Sequence, residues 1–119
     1  MIALAAIGGS TATAARPPSH RVRAELVDAA TRFVHHDRCC AAIARIGMVA
    51  AEQSTVDGRF AVGAFDGWNG KNVEEGRVDM VFRHAPAGWR VISWGTVGVG
   101  CGLSARVRAD LGVTCYTHH

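Results

Sequence analysis

Near residue 43 the hydrophobic period of this chain changes, and that change constrains the fold more than any other feature of the 119 residues. Before it, Val22, Leu26, Ala29, Ala30 and Phe33 recur at helical spacing and form one apolar face. Arg21, Glu25, Asp28 and Arg32 fall on the opposite face, and the Asp28/Arg32 spacing suits a weak helix-supporting pair. Arg16-Pro17-Pro18 is an extended lead-in, and Ser19 is placed to cap the helix. After the change, apolar residues alternate with smaller or polar ones, which is the signature of half-buried strands. Ile46, Met48 and Ala50 mark a first strand, and Phe60, Val62 and Ala64 a second, with a turn at Asp57-Gly58 between them. Val78, Met80 and Phe82, set between Arg77, Asp79, Val81 and Arg83, give the clearest strand in the chain.

Residues 66–76 hold three glycines and no period, so they are expected to form a loop. Pro86-Ala87-Gly88 turns the chain into a fourth strand, Trp89 to Val97. That strand is apolar on both sides and is therefore expected in the middle of the sheet. Ser104 can cap a short helix running to Leu111, with Gly112 ending it. The expected fold class is α+β: an N-terminal helix packed on a four-stranded antiparallel sheet, then a short disulfide-tied C-terminal helix. The cystatin-like, PepSY-like and NTF2-like families share this general shape, an analogy of architecture that carries no function.

Residues 1–14 read differently from the rest. They carry no charge, hold a short apolar run (Ile2, Leu4, Ala5, Ala6, Ile7) and end in the small residues Ala12-Thr13-Ala14. This matches the end of a secretory signal peptide with its cleavage site, although the basic segment that usually precedes the apolar run is missing. Residues 15–119 are expected to form a single domain. The localisation implied is secreted, with no membrane span, because no stretch of about 20 apolar residues occurs. His118 and His119 resemble the start of a purification tag and are assigned no role.

The four cysteines agree with export. An even count in a small exported domain implies disulfides, and the adjacent pair Cys39-Cys40 with distant Cys101 and Cys115 does not have zinc-site spacing. A vicinal Cys39–Cys40 bridge is strained and rare. Two patterns remain open: Cys39 and Cys40 joined separately to Cys101 and Cys115, or Cys101–Cys115 with the helix-end cysteines apart. The second is preferred, since a loop of about 15 residues contributes about 3 kcal/mol in the chain-entropy model. The helical wheel puts Cys40 on the buried side and Cys39 on the wet side.

Gly88-Trp89-Arg90-Val91, Val99-Gly100-Cys101-Gly102, Val107-Arg108-Ala109-Asp110-Leu111-Gly112 and Cys115 resemble a module of small exported actinobacterial proteins of unassigned function. Ser54-Thr55-Val56-Asp57-Gly58-Arg59-Phe60-Ala61 fits the same pattern, so the resemblance spans roughly residues 40–115. The cysteine beside Cys40 departs from it. The resemblance implies a packed, disulfide-tied architecture and implies no catalyst.

The 13 Lys+Arg against 10 Asp+Glu give a net charge of +3, too little for a nucleic-acid partner, and no basic run is present. His35-His36-Asp37 could serve as an acid–base pair or part of a metal site with His84 or Asp79. Adjacent helical residues point about 100° apart, however, so cationic groups near a helix C-terminus are the plainer reading. His36, His84, Glu52, Arg83 and Arg90 supply the residue types of a small hydrolase or nuclease, but their spacing does not bring them together. No nucleophile elbow, phosphate-cradling glycine loop or zinc-protease motif occurs. No catalytic residue, metal ligand or cofactor is assigned. Trp68 in its Gly/Asn loop, with Asn69 and Lys71 beside it, is the candidate partner contact; alternatively its ring folds back over the sheet edge. The leading expectation is a secreted, disulfide-stabilised, non-catalytic binding domain recognising an extracellular protein, such as a protease, or a cell-envelope component. The alternative is the small secreted hydrolase or nuclease.

Overall fold

A computed structural model describes residues 15–36 and 42–116. The elements are α1 (His20–His36), β1 (Arg45–Gln53), β2 (Phe60–Trp68), β3 (Glu74–Ala85), β4 (Gly88–Gly95) and α2 (Ala105–Leu111). The four strands form one antiparallel sheet in the order β1-β2-β3-β4, a simple meander. The α+β architecture expected from the sequence is the one observed. Among the described residues no helix is long and apolar enough to cross a membrane.

Local chemistry accounts for the helix ends. The Ser19 hydroxyl accepts from the Val22 N–H at 3.2 Å and opens α1. The Ser104 side chain accepts from Val107 N–H and opens α2, and Gly112, left-handed at φ 71°, closes it. On the solvent face of α1 the ion pair is Arg21–Glu25 at 3.5 Å, and among the described residues none joins Asp28 to Arg32.

The sheet is packed on both faces. On one, Leu26, Ala29, Ala30 and Val34 of α1 meet Ala51, Ala61, Phe65, Met80, Phe82 and Trp89. On the other, Val81 meets Val99, Leu103, Val107 and Leu111 from the C-terminal segment. Burial along β2 alternates strictly between buried and half-buried positions, so one face of the strand is covered more completely than the other. Phe65, Phe82, Leu26, Met80 and Val81 are fully buried, each contributing about 1.5–3 kcal/mol.

Two expectations are corrected. The fourth strand lies at the edge of the sheet, not in its middle. Its apolar residues do not all face the core: Ile92 is the extra residue of a bulge, and both Ile92 and Trp94 are exposed. Residues 66–76 are not one loop, since β2 continues to Trp68, β3 starts at Glu74 and Gly67 pairs with Gly76. The body also has a third layer, because the C-terminal segment covers the sheet face opposite α1.

Cys101 and Cys115 form a disulfide with Cα atoms 4.5 Å apart, as preferred from the sequence. Cys39, Cys40 and Asp37 lie outside the described residues, and so do the signal-like residues 1–14.

A polar knot fastens α2 to the β1–β2 connection. Asp110 is buried, and its carboxylate accepts from the Ser54 hydroxyl at 2.6 Å, the Thr55 N–H at 2.8 Å and the Thr55 hydroxyl at 3.3 Å. The Ser54 oxygen in turn accepts from the N–H groups of Val56 and Asp57 at 3.1 and 3.0 Å. Burial alone would raise the Asp110 pKa, but the hydrogen bonds from Ser54, Thr55 and Val56 outweigh it and hold the carboxyl below its ordinary value.

Candidate functional site

The side chains singled out in the sequence separate into three places. Trp68 ends β2 and is half-buried, opposite Arg45 of β1. The Arg45 guanidinium lies 4.0 Å above its ring, and a Cβ at Gly47 would come within 3.3 Å of the ring edge. The indole is therefore folded back over the sheet, clamped by a cation–π contact worth about 0.5–1 kcal/mol at such a site. Asn69 shapes the β2–β3 turn. Its side-chain oxygen accepts from the N–H groups of Lys71 at 2.9 Å and Val73 at 3.0 Å, and its amide donates to Glu75 at 2.9 Å. Asn72, left-handed at φ 61°, accepts from Arg45 at 2.6 Å. The turn is thus pre-shaped and leaves Lys71 and Val73 facing outward.

His84 shares a cleft with two carboxylates and an arginine without bonding to them, and His35 and His36 lie apart from it. The His35 ring nitrogen lies 3.2 Å from the Ala44 carbonyl. His36 lines a shallow hollow of about 300 Å³ with Arg32, Arg90, Phe33 and Trp89, and no carboxylate shares that hollow. The His84 ring tilts against Trp89, centroids 5.0 Å apart, beside a cleft of about 200 Å³ that Glu25, Asp28 and Arg32 also line. Among the described residues no hydrogen bond or ion pair joins a histidine to a carboxylate, and no cluster of three His, Cys, Asp or Glu could hold a metal. Glu52, on β1, and Arg83, the neighbour of His84 on β3, do not line this cleft. Asp79 is half-buried on β3; burial raises its pKa, and Arg77 partly counters that.

A further concavity is one the sequence did not reveal. It opens between the last turn of α1, the Ala42–Ile43 segment and the end of the sheet where Gly67 pairs with Gly76, and it measures about 480 Å³. Val34, Ile43, Ile46, Val78 and Trp94 make its walls. Two glycines shape its floor. A Cβ at Gly67 would meet the Ile43 side chain at 3.0 Å, so Ile43 rests directly on the strand backbone. Gly76, at φ 114°, adopts a backbone geometry that other residues rarely take, and a Cβ there would enter open space.

Trp94 stands at the mouth, 46% exposed, with its ring 6.4 Å from that of Phe33. The pre-shaped turn borders the same end, because Glu75, which takes the Asn69 hydrogen bond, also lines the pocket. A cavity of this size falls in the ~300–1,000 Å³ range of small-molecule sites, which are mostly apolar and largely pre-formed. What this arrangement can do chemically is enclose an apolar group, with the polar side chains of Glu75, Arg77 and Thr96 also in its lining. Comparison with known proteins finds no matching family model, no matching curated protein and no matching solved structure.

Proposed function

We propose that this chain is an exported, disulfide-stabilised binding domain without catalytic activity, and that it recognises an envelope or extracellular component through the pocket end of its sheet. One observation carries this reading: a pre-formed apolar pocket of about 480 Å³ with a half-exposed tryptophan at its mouth, in a molecule whose histidines have no carboxylate partner among the described residues. An apolar cavity with an aromatic side chain among its lining residues has the composition usual for a ligand site. Export is supported by the Cys101–Cys115 bridge in a small domain and by the signal-like residues 1–14, and the resemblance to small exported actinobacterial proteins agrees with it. The turn residues Trp68, Asn69 and Lys71 stand at the margin of that end: Trp68 and Asn69 hold the turn, and Lys71 is exposed beside them.

The test is native mass spectrometry of the protein recovered from its own culture medium. The expected result is an oxidised Cys101–Cys115 pair and a retained mass that is lost in Ala42→Trp, a substitution that blocks the pocket mouth from an exposed position. Protein recovered only from the cytosol, with Cys101 and Cys115 as thiols, contradicts export. A retained mass indifferent to Ala42→Trp contradicts the site. The hydrolase reading gains only if a turned-over substrate is found whose conversion depends on His84.

A further inference from the structure

Resting on the pocket reading above, we infer that the ligand is a small neutral lipid-like molecule, its apolar body held in the pocket and its polar end left at the mouth. Two observations lead there. The first is the state of the charged residues that line the pocket. Glu75 accepts the 2.9 Å hydrogen bond from Asn69, and Arg77 pairs with Asp66 at 3.4 Å across β2 and β3. Glu75 and Arg77 bring one charge of each sign, both exposed at the rim, so the lining offers an ion no net complement, and an ion held among Val34, Ile43, Ile46 and Val78 would lose its hydration without a paired charge. What remains is aliphatic wall, the Trp94 ring and the Thr96 hydroxyl, which can hydrogen-bond an ester or alcohol but cannot neutralise an ion.

The second observation is size. A dry cavity of roughly 150 Å³ takes up one benzene-sized molecule. About 480 Å³ exceeds that and exceeds the space one protein side chain fills, which favours an acyl chain or fused-ring body over a single residue of a protein partner. The hollow lined by Arg32, His36 and Arg90 makes the contrast within the same molecule, because it is the place where an anion would bind.

The experiment uses a matched pair of fluorescent probes on the oxidised protein: N-phenylnaphthylamine, which is neutral, and anilinonaphthalene sulfonate, the same aromatic body with an added anion. The neutral probe should bind, the sulfonate should bind no tighter, and neither affinity should fall when salt is raised. Ala42→Trp should weaken the neutral probe about tenfold or more, and Trp94→Ala should weaken it several-fold, both with thermal unfolding unchanged. A sulfonate that binds much tighter and is still weakened by Ala42→Trp overturns the neutral ligand while leaving the pocket as the site. A sulfonate that binds tighter, loses affinity in salt, and responds to Arg90→Ala but not Ala42→Trp overturns both and moves recognition to the arginine-lined hollow. Failure of both probes to bind likewise overturns both. Probe release that tracks self-association in sedimentation identifies a second copy as the occupant and overturns the lipid-like ligand.

Discussion

The two faces of the sheet are finished differently. The face toward the C-terminus is fastened three times over: by the cluster around Val81, by the Cys101–Cys115 bridge and by the buried Asp110 carboxylate that ties α2 to the β1–β2 connection. The face toward α1 is densely packed at one end, where Phe65, Phe82, Leu26 and Trp89 meet, and opens at the other into the glycine-floored pocket. The difference shows how a small domain can keep an apolar cavity. Such a cavity forgoes hydrophobic and dispersion contacts, and the covalent and polar fastening of the opposite face offsets that loss without crowding the cavity itself.

The largest test of that division is the bridge. Replacing Cys101 and Cys115 together by Ser is expected to cost about 3 kcal/mol in urea unfolding. The neutral-probe affinity of the molecules that stay folded should not change. A parallel loss of affinity would mean that the two faces are not independent.

Next comes the knot. Asp110→Asn leaves part of its donor set facing an amide instead of a carboxylate and is expected to cost about 2 kcal/mol. It also changes the response to acid. The folded-state pKa of Asp110 lies below the ordinary 3.8, so its stabilisation is present above that value and is lost as pH falls through the folded pKa. Unfolding free energy of the native protein should therefore decline as pH falls below about 4, and the Asp110→Asn curve should be flatter there. Asp57, lowered by its hydrogen bonds to Arg59, adds only a small slope of the same sign because that pair is exposed. An unchanged acid slope in Asp110→Asn would break the assignment.

Asp79 sharpens the comparison from the other side. Burial raises its pKa, so the folded state disfavours its charge, and the associated stability is lost as pH rises through the folded pKa. Asp79→Asn is expected to raise stability at neutral pH by less than about 1 kcal/mol, measured by the same urea titration. The smallest effect is expected at the turn: Arg45→Ala removes the cover from Trp68 and should cost about 0.5–1 kcal/mol with no change in neutral-probe affinity. A loss of affinity there would bring the turn into the pocket's own mechanism.

Much of this architecture was legible in the chain. The period of Val22 to Phe33 marked α1, the alternation of Val78, Met80 and Phe82 marked β3, and Ser104 with Gly112 bracketed α2. Periodicity arguments failed where side chains stop reporting on faces. Gly67 and Gly76 have no side chain to alternate, so two paired strand ends looked like loop. Ile92 and Trp94 are apolar but exposed, so an edge strand looked central. Both failures border the pocket, which departs from the ordinary hydrophobic pattern because it is left open. The Asp110 knot was half visible: its two sides, Ser54-Thr55-Val56 and the Asp110 segment, were both among the motifs that carried the resemblance, yet nothing in a linear sequence says that they bond to each other.

The division of labour between the faces is tested most directly by mapping backbone amide chemical shifts while the neutral probe is titrated in. The account predicts changes confined to the pocket end, at Ile43, Ile46, Gly67, Gly76, Val78 and Gly95, with the amides of Ser54 to Asp57 and of α2 unmoved. Changes centred on His84 and Trp89, or spread through the Asp110 knot, would contradict it.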